Sequence, residues 1–278
     1  MDLVIDADHI TYLVSESNTY KTGFDTLEEF EALNFADSEI DFNVYKKHFQ
    51  SIVDDYILTA ECACIAYGWG KIDDVKIVMS DKTNFRFDVF PDYKKNRVSK
   101  NKIRTQLKKW ARKKFICEPN TEADDVVAYY VRNGALGITT DKDLYKGVEG
   151  IWYNAHYMHK SWMVTSKEDA EEFFKCQILA GDGVDAIPSL PRVGLPTAKK
   201  LMFKHGSSYQ DIVQIFKDKG FDVAYMLTMT RLVCMSQWTP KHGIRLWEIP
   251  NEKSVQKAKK KAKKQIQNAH NKRLSDTS

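Results

Sequence analysis

The chain has five cysteines, Cys62, Cys64, Cys117, Cys176 and Cys234. They form an odd set without the paired spacing of a zinc site, and most lie in apolar context. No disulfide framework is indicated, and a reducing compartment is expected. No window approaches the roughly 20 consecutive apolar residues that a membrane span requires. The opening M-D-L-V-I-D-A-D lacks the basic n-region and long apolar core of a secretory leader. A soluble, cytoplasmic protein without a membrane partner is the expectation. No loop has the oxygen-ligand spacing of an EF-hand, so calcium storage is set aside.

With 278 residues, 43% hydrophobic and 29% charged, the chain can bury a large core, as one α/β domain or a domain with a smaller appendage. A formal net charge of +4 says little about partners by itself. The placement of charge says more. Carboxylates recur where apolar runs stop: Asp6 and Asp8 after Leu3–Ile5, Asp81 after V-K-I-V-M at 75–79, Asp141 and Asp143 after A-L-G-I-T at 135–139, and Asp182 and Asp185 after a helix that Ser166 caps. Short apolar runs of this kind read as central strands of a parallel sheet, and ligands collect at the carboxyl ends of such strands. A surface turn is the plain alternative for each acid. His9 has no matching His or Cys cluster and reads as packing or a hydrogen bond.

The densest acidic stretch is N-T-E-A-D-D-V-V-A-Y-Y at 120–130. With Thr121 or Asn120 as cap, Glu122, Asp124 and Asp125 occupy the first turn of a helix, where free N–H groups favour negative charge. So many acids at strand ends repel one another unless cations neutralise them. Carboxylate oxygens suit Mg²⁺ or Mn²⁺, and two such ions about 3.5–4 Å apart can clamp the attacking and leaving oxygens of a phosphoryl transfer. A single-metal site is the lesser reading. Glu122 and Asp125 share a helix face, whereas Asp124 diverges from Glu122, so one turn can serve two ions.

Between the acidic clusters the chain turns basic. Residues 82–114 interleave thirteen lysines and arginines, Arg86, Lys95, Lys109 and Arg112 among them, with Phe85, Phe87, Phe90, Tyr93 and Trp110. This suits a nucleic-acid backbone and its terminal bases, although a solvated helix over 102–114 would look alike. F-P-D-Y-K-K-N-R at 90–97 offers Lys94 as electrostatic catalyst and Arg97, one helical turn on, as phosphate clamp, with Tyr93 placed to stack on a base. At 187–201, I-P-S-L-P-R-V-G-L-P-T-A-K-K-L reads as a turn feeding a helix whose N–H groups can hold phosphate, near Lys199 and Lys200. Helices are also expected over 42–66, 209–216 and 222–233, with a returning strand or extended segment at 244–249.

V-I-D-A-D at 4–8, F-P-D-Y-K-K-N-R at 90–97, T-E-A-D-D at 121–125, T-T-D-K-D-L at 139–144 and G-D-G-V-D-A-I-P with G-L-P-T-A at 181–198 resemble, in this order, the motifs of the 5′ nucleases. That family contains flap endonucleases, the 5′-3′ exonuclease domain of bacterial DNA polymerase I and phage 5′-3′ exonucleases. The compact size and the late R-L-W-E-I-P segment are most similar to the phage enzymes, which would place the protein in a host cytoplasm. The resemblance implies an α/β fold with a mostly parallel central sheet flanked by helices, a basic helical clamp, and a helix–three-turn–helix element that grips duplex DNA. It implies a catalytic domain over 1–180 with the clamp at about 84–117, a duplex-binding subdomain over 181–250, and a basic tail, helical or disordered, over 251–278. Asp6, Asp81, Glu122, Asp124, Asp125, Asp141, Asp143, Asp182 and Asp185 match the metal-site acids, with Asp8 just behind them. Lys94 and Arg97 match the cationic catalysts. Arg192, Gly194, Thr197, Lys199 and Lys200 fall in the duplex-binding element.

The activity implied is Mg²⁺- or Mn²⁺-dependent, using two or more ions. It covers 5′-3′ exonuclease action on duplex or nicked DNA, removal of RNA primers from RNA–DNA hybrids and cleavage of short flaps. A monomer acting beside replication proteins is implied. The chain departs from the family at Ser189-Leu190-Pro191-Arg192, where a glycine usually precedes the turn proline, and keeps only Gly194 of the paired glycines. That bears on the K⁺ ion often held there. The segment from Lys94 to Glu122 is short for a full arch, which favours end-directed cutting over threading. A non-catalytic DNA-end-binding protein and a ribonuclease of related fold are the competing readings.

Overall fold

The computed structural model describes residues 1–16, 42–97, 101–156 and 158–250. The tail at 251–278 and most of the stretch between Ile10 and Phe42 lie outside these residues, as do residues 98–100 of the expected clamp.

Five strands form the central sheet: β1 (Asp2–Asp6), β2 (Asp74–Val78), β3 (Leu136–Thr139), β4 (Gly150–Asn154) and β5 (Ser161–Thr165), in the spatial order β2-β1-β3-β4-β5. All neighbours are parallel except the β4–β5 edge pair. β1 lies between β2 and β3, and Leu3, Val4 and Ile5 are all fully buried because both faces of the strand are covered. Leu3 and Ile5 face α1 (Asp8–Glu16), α2 (Phe42–Tyr67) and α4 (Lys102–Lys114). Val4 faces the other way, onto α5 (Ala123–Arg132) and α6 (Lys142–Gly147), with Val126, Val127 and Trp152. The strand period of two thus sorts one apolar run between two cores. In α4, Ile103, Leu107 and Ala111 are buried at spacings of four, which sends Arg104, Lys108 and Arg112 to the other side.

A third core joins α7 (Lys167–Ala180), α8 (Leu195–His205), α9 (Tyr209–Asp218) and α10 (Val223–Val233). The expected boundary at 180/181 cuts this core, since Cys176, Ile178 and Leu179 of α7 pack inside it. Of the expected return segment 244–249 only Ile244 is strand, as the end of β7 (Gly243–Ile244), which pairs with β6 (Trp238–Thr239). Beyond it, side chains replace the backbone ladder: Trp247 N donates to Gln237 Oε1 at 2.8 Å, and Arg231 Nε donates to the Trp247 carbonyl at 3.1 Å.

The helical core is fastened to the sheet by one buried arginine. Arg86 sits in the short α3 (Phe85–Val89), which Asn84 caps through the Arg86 N–H. Its side chain is 0% exposed. It donates to Asp125 Oδ2 at 2.6 Å and Oδ1 at 3.3 Å, and to the carbonyls of Leu232 at 3.0 Å and Cys234 at 2.6 Å. Asp125, also 0% exposed, takes a further bond from Gln237 N at 3.2 Å. Two sequence expectations are corrected here. Arg86 is buried rather than placed at the surface for DNA, and Asp125 is turned to Arg86 and Gln237 N rather than to the other acids, while Arg86 also lies 3.2 Å from Glu122 Oε2. Removing one partner of such a pair leaves a buried charge unmatched. Arg86→Met is therefore expected to cost about 3–5 kcal/mol in chemical denaturation; a loss below about 1 kcal/mol would refute the assignment of this pair as the fastening.

Candidate active site

The acids gather where the strand geometry sends them. Asp6 ends β1 and accepts from Thr139 Oγ1 at 2.9 Å and from Asp8 N at 3.1 Å. Thr139, the last residue of β3, in turn accepts from Asp141 N at 3.0 Å, so one hydroxyl ties two neighbouring strand ends together. Asp141 caps α6 by accepting from Asp143 N at 2.7 Å. Asp182 and Asp185 follow the C-terminus of α7, where Gly181 has φ +71° and a Cβ would lie 2.2 Å from the Ile187 carbonyl. Only glycine fits there, and the turn closes through paired Asp182–Ile187 backbone bonds of 3.0 and 2.8 Å.

The start of α5 differs from expectation. Neither Thr121 nor Asn120 caps it; Thr121 Oγ1 donates instead to the Pro119 carbonyl at 2.9 Å. Glu122 holds the N-cap position without a side-chain cap bond, which leaves its carboxylate free for the cleft. Ala123 N donates to Ser80 Oγ at 2.9 Å, so the loop after β2 closes this helix end. Asp81 in that loop accepts from Lys82 N, Thr83 Oγ1 and Asn120 N at 2.6, 2.9 and 2.8 Å. Asp81 reaches the cleft edge while both its oxygens brace the loop.

Lys94 and Arg97 join the acids from a run of tight turns at Phe90–Arg97. Lys94 has φ +55°, a conformation uncommon outside glycine, and its N–H donates to the Asp185 carbonyl at 2.8 Å. Its Nζ contacts Glu122 Oε1 and lies 3.6 Å from Asp185 Oδ2, while Arg97 pairs with Asp185 Oδ1. Tyr93 was expected to stack on a base, but it is 1% exposed and donates towards Glu122 Oε2 at 3.0 Å, with Asp185 Oδ2 at 3.3 Å. It is a buried brace between two acids.

Burial opposes every one of these charges, and the pairings decide which survive. For Glu122, Lys94 and Arg86 outweigh burial and hold the carboxyl below its usual range. For Asp124, burial, then Asp141, Asp6 and Glu122, outweigh Lys94 and push its carboxyl well up. Burial and the nearby Asp6 and Asp185 raise Asp141 as well. Burial, Asp141 and Asp182 raise Asp143 to about 7, and Asp143 Oδ1 is buried with no donor facing it. Among the described residues no three His, Cys, Asp or Glu side chains are arranged to hold a metal ion. The all-oxygen donor set nonetheless fits a hard divalent cation, because Asp124 is crowded by Asp141, Asp6 and Glu122 and Asp143 Oδ1 is buried without a donor.

Asp6, Asp8, Asp81, Glu122, Asp124, Asp141 and Asp185 share one open cleft of about 1690 Å³ with Lys94, Arg97 and the outer face of α4. Asp143 and Asp182 stand outside that lining. Lys109 and Arg112 line the cleft as expected, and Arg112 Nε also donates to the Ser80 carbonyl at 2.8 Å. Arg104 and Lys108 on the same face, and Tyr12 opposite at 54% exposure, were not singled out from the sequence. The spacing of four from Arg104 to Lys108 to Arg112 was the available signal. Lys108 reaches Asp8 at 3.3 Å, tying α4 to α1. Lys95 is exposed and paired with Asp92 at 2.7 Å, away from the lining.

The duplex-binding candidates form a separate patch. Gly194 is the N-cap of α8, and Arg192, Thr197 and Lys200 are exposed beside it. Lys199 is held by Glu172 at 2.5 Å. Ser189 (φ +41°) and Arg192 (φ +60°) take left-handed conformations in the turn that the missing glycine would have eased. The Ser189 carbonyl accepts from Tyr225 Oη at 2.9 Å, which ties this turn to α10.

No protein-family model matches the chain. A curated relative, a 5′-3′ exonuclease of Buchnera aphidicola subsp. Acyrthosiphon pisum, is 29% identical over 147 residues, 45% of this chain and 50% of that protein. The chain thus spans half the length of that relative. A phage T5 protein co-crystallised with metal ions superposes with a TM-score of 0.56 at 13% identity, over 85% of this chain and 90% of that one. The bacteriophage T5 flap endonuclease, in a pseudo-enzyme–product complex with DNA and metal ions, gives 0.52 at 14% identity over 85% and 89%. The T5 5′-exonuclease with zinc ions gives 0.51 at 15% over 84% and 88%. This chain therefore has the fold of the phage T5 5′-exonuclease, a mostly parallel sheet flanked by helices, together with a weak sequence similarity to a bacterial 5′-3′ exonuclease.

Proposed function

We propose that this chain is a divalent-cation-dependent nuclease that hydrolyses phosphodiesters at DNA 5′ ends. Duplex or nicked DNA, RNA primers and short flaps would be its substrates, leaving 5′-phosphate and 3′-OH products. One observation carries the reading: the strand-end acids, Lys94 and Arg97 face a single cleft whose far wall is the basic face of α4. The named activities of the T5 and Buchnera proteins agree with it.

Asp6, Glu122, Asp124 and Asp141 would hold one cation, with Asp81 reaching it through water, and Asp143, Asp182 and Asp185 would hold the second. Bound there, Mg²⁺ or Mn²⁺ supplies an acidified water and charge neutralisation at the phosphoryl oxygens. The chain's own residues do the rest. Lys94 and Arg97 are now paired with Glu122 and Asp185, the same carboxylates that would ligate cations. Once those carboxylates are neutralised, both side chains are free to turn to the scissile phosphate, where positive charge stabilises the developing negative charge. Tyr93 keeps Glu122 and Asp185 in register meanwhile. Arg104, Lys108, Lys109 and Arg112 draw the strand along α4 by its phosphates, and the α8 patch with Arg192 and Lys200 grips the duplex.

Release of labelled mononucleotides from a 5′-labelled nicked duplex in Mg²⁺ tests the proposal. Lys94→Ala is expected to lower the rate by about 10²–10³-fold, and Asp124→Asn by at least about the same. Cleavage by Asp124→Asn at the starting rate would overturn the metal assignment, and DNA-end binding without any cleavage would favour the non-catalytic reading.

The raised Asp143 carboxyl adds a pH dependence. The folded protein binds this proton more tightly than the unfolded chain, whose Asp titrates near 3.8. Its stabilising contribution is therefore full below about pH 4 and is lost as pH rises through about 7. Without divalent cation, Asp143→Asn is expected to gain on the starting protein between pH 5 and pH 8, reaching about 1–3 kcal/mol in thermal denaturation. Added Mn²⁺ should shrink the gap, and a gap independent of pH would contradict the assignment.

A further inference from the structure

We infer that His9 is a positioning residue for Asp6: it bridges Tyr56 and Asp6 and holds the Asp6 carboxylate in the orientation that a cation at the end of β1 requires. The inference rests on the reading of Asp6 as a metal ligand given above.

His9 lies in the first turn of α1 and points inward, with its side chain 8% exposed. Its Nε2 is 3.0 Å from Tyr56 Oη, and its Nδ1 is 3.8 Å from Asp6 Oδ2 with no hydrogen-bond partner. A packed histidine has no need to aim an unsatisfied buried nitrogen at a carboxylate, since leaving such a group unpaired is costly. The tautomer follows from the partners. Tyr56 is buried, and burial followed by the charges of Tyr153 and Asp6 pushes its phenol up, so it stays an O–H donor. Tyr56 Oη can then donate to Nε2, and a ring proton on Nδ1 is the tautomer that suits the Asp6 carboxylate it faces.

Asp6 already has fixed donors on both oxygens, Asp8 N on Oδ1 and Thr139 Oγ1 on Oδ2. At 3.8 Å the Nδ1–H is outside hydrogen-bond range. A small rotation of the carboxylate towards a cation closes that gap, as bonds in a site without substrate often tighten on loading. Tyr56–His9–Asp6 would then be a relay in which the outer partner fixes the tautomer and the inner one fixes the carboxylate. Outer partners of this kind are worth about 10–100-fold in metal affinity. His9 touches no reacting atom, because one nitrogen is committed to Tyr56 and the other faces Asp6.

Mn²⁺ binding to the full chain, followed by electron paramagnetic resonance without DNA, tests this, with thermal denaturation as the folding control. His9→Ala and Tyr56→Phe are each expected to weaken the tightest Mn²⁺ site by about 10-fold or more. The double variant should lose little beyond either single one, because both break the same relay. His9→Asn, whose amide N–H takes the place of Nδ1–H, should stay within about threefold of the starting protein. Equal losses in His9→Ala and His9→Asn would overturn the relay, as would unchanged affinity in His9→Ala while Asp6→Asn loses it. Unchanged affinity in Asp6→Asn would instead overturn the ligand reading on which the relay stands.

Discussion

Carboxylates crowded at one edge of a parallel sheet are the constraint on which the rest of the structure depends. Such charges can share a small volume only if cations or protons balance them. The chain uses both, and uses them unevenly. Arg86 balances Asp125 permanently, inside the protein and out of reach of water. Lys94 and Arg97 balance Glu122 and Asp185 from side chains that remain at the cleft. Asp124 and Asp143 lie among other acids, and burial together with those neighbours raises both carboxyls. The first pair is sealed inside the fold, whereas the other pairs stay at the cleft.

The same division explains how much was legible in the sequence. The sheet was readable because buried parallel strands are short apolar runs, and an acid just past such a run has only one place to go. Asp6 and Asp141 follow that logic, and the amphipathic period of α4 foretold its basic face. Arg86 and Tyr93 were misread for one reason. In a run so rich in lysine, arginine and aromatics, nothing local separates the side chain that turns inward from those that face solvent. Inward placement is set by distant carbonyls at Leu232 and Cys234 and by acids at Glu122 and Asp185. Asp125 went with Arg86, since a carboxylate one residue from a cleft ligand looks like a ligand until its partner is known.

Cross-chain closure hid the remaining details. The cap of α5 comes from Ser80, more than forty residues upstream, so scanning the residues before the helix could only nominate the wrong one. His9 looked isolated because its partners are Asp6, across the strand end, and Tyr56, a full helix away. Lys199 looked free until α7 brought Glu172 beside it. In each case the residue type was informative, and the partner, which decides the role, was supplied by tertiary structure.

The carbonyls that seal Arg86 carry a consequence for how the protein can be divided. They come from the end of α10, and Gln237, which caps Asp125, is itself held by Trp247. The buried Arg86–Asp125 pocket of the sheet domain is therefore closed by residues beyond it. A fragment ending at residue 180 would keep most of the acids and yet open the arginine pocket to water. A unit that keeps that pocket closed runs to about Trp247, because the helical layer supplies one of its walls.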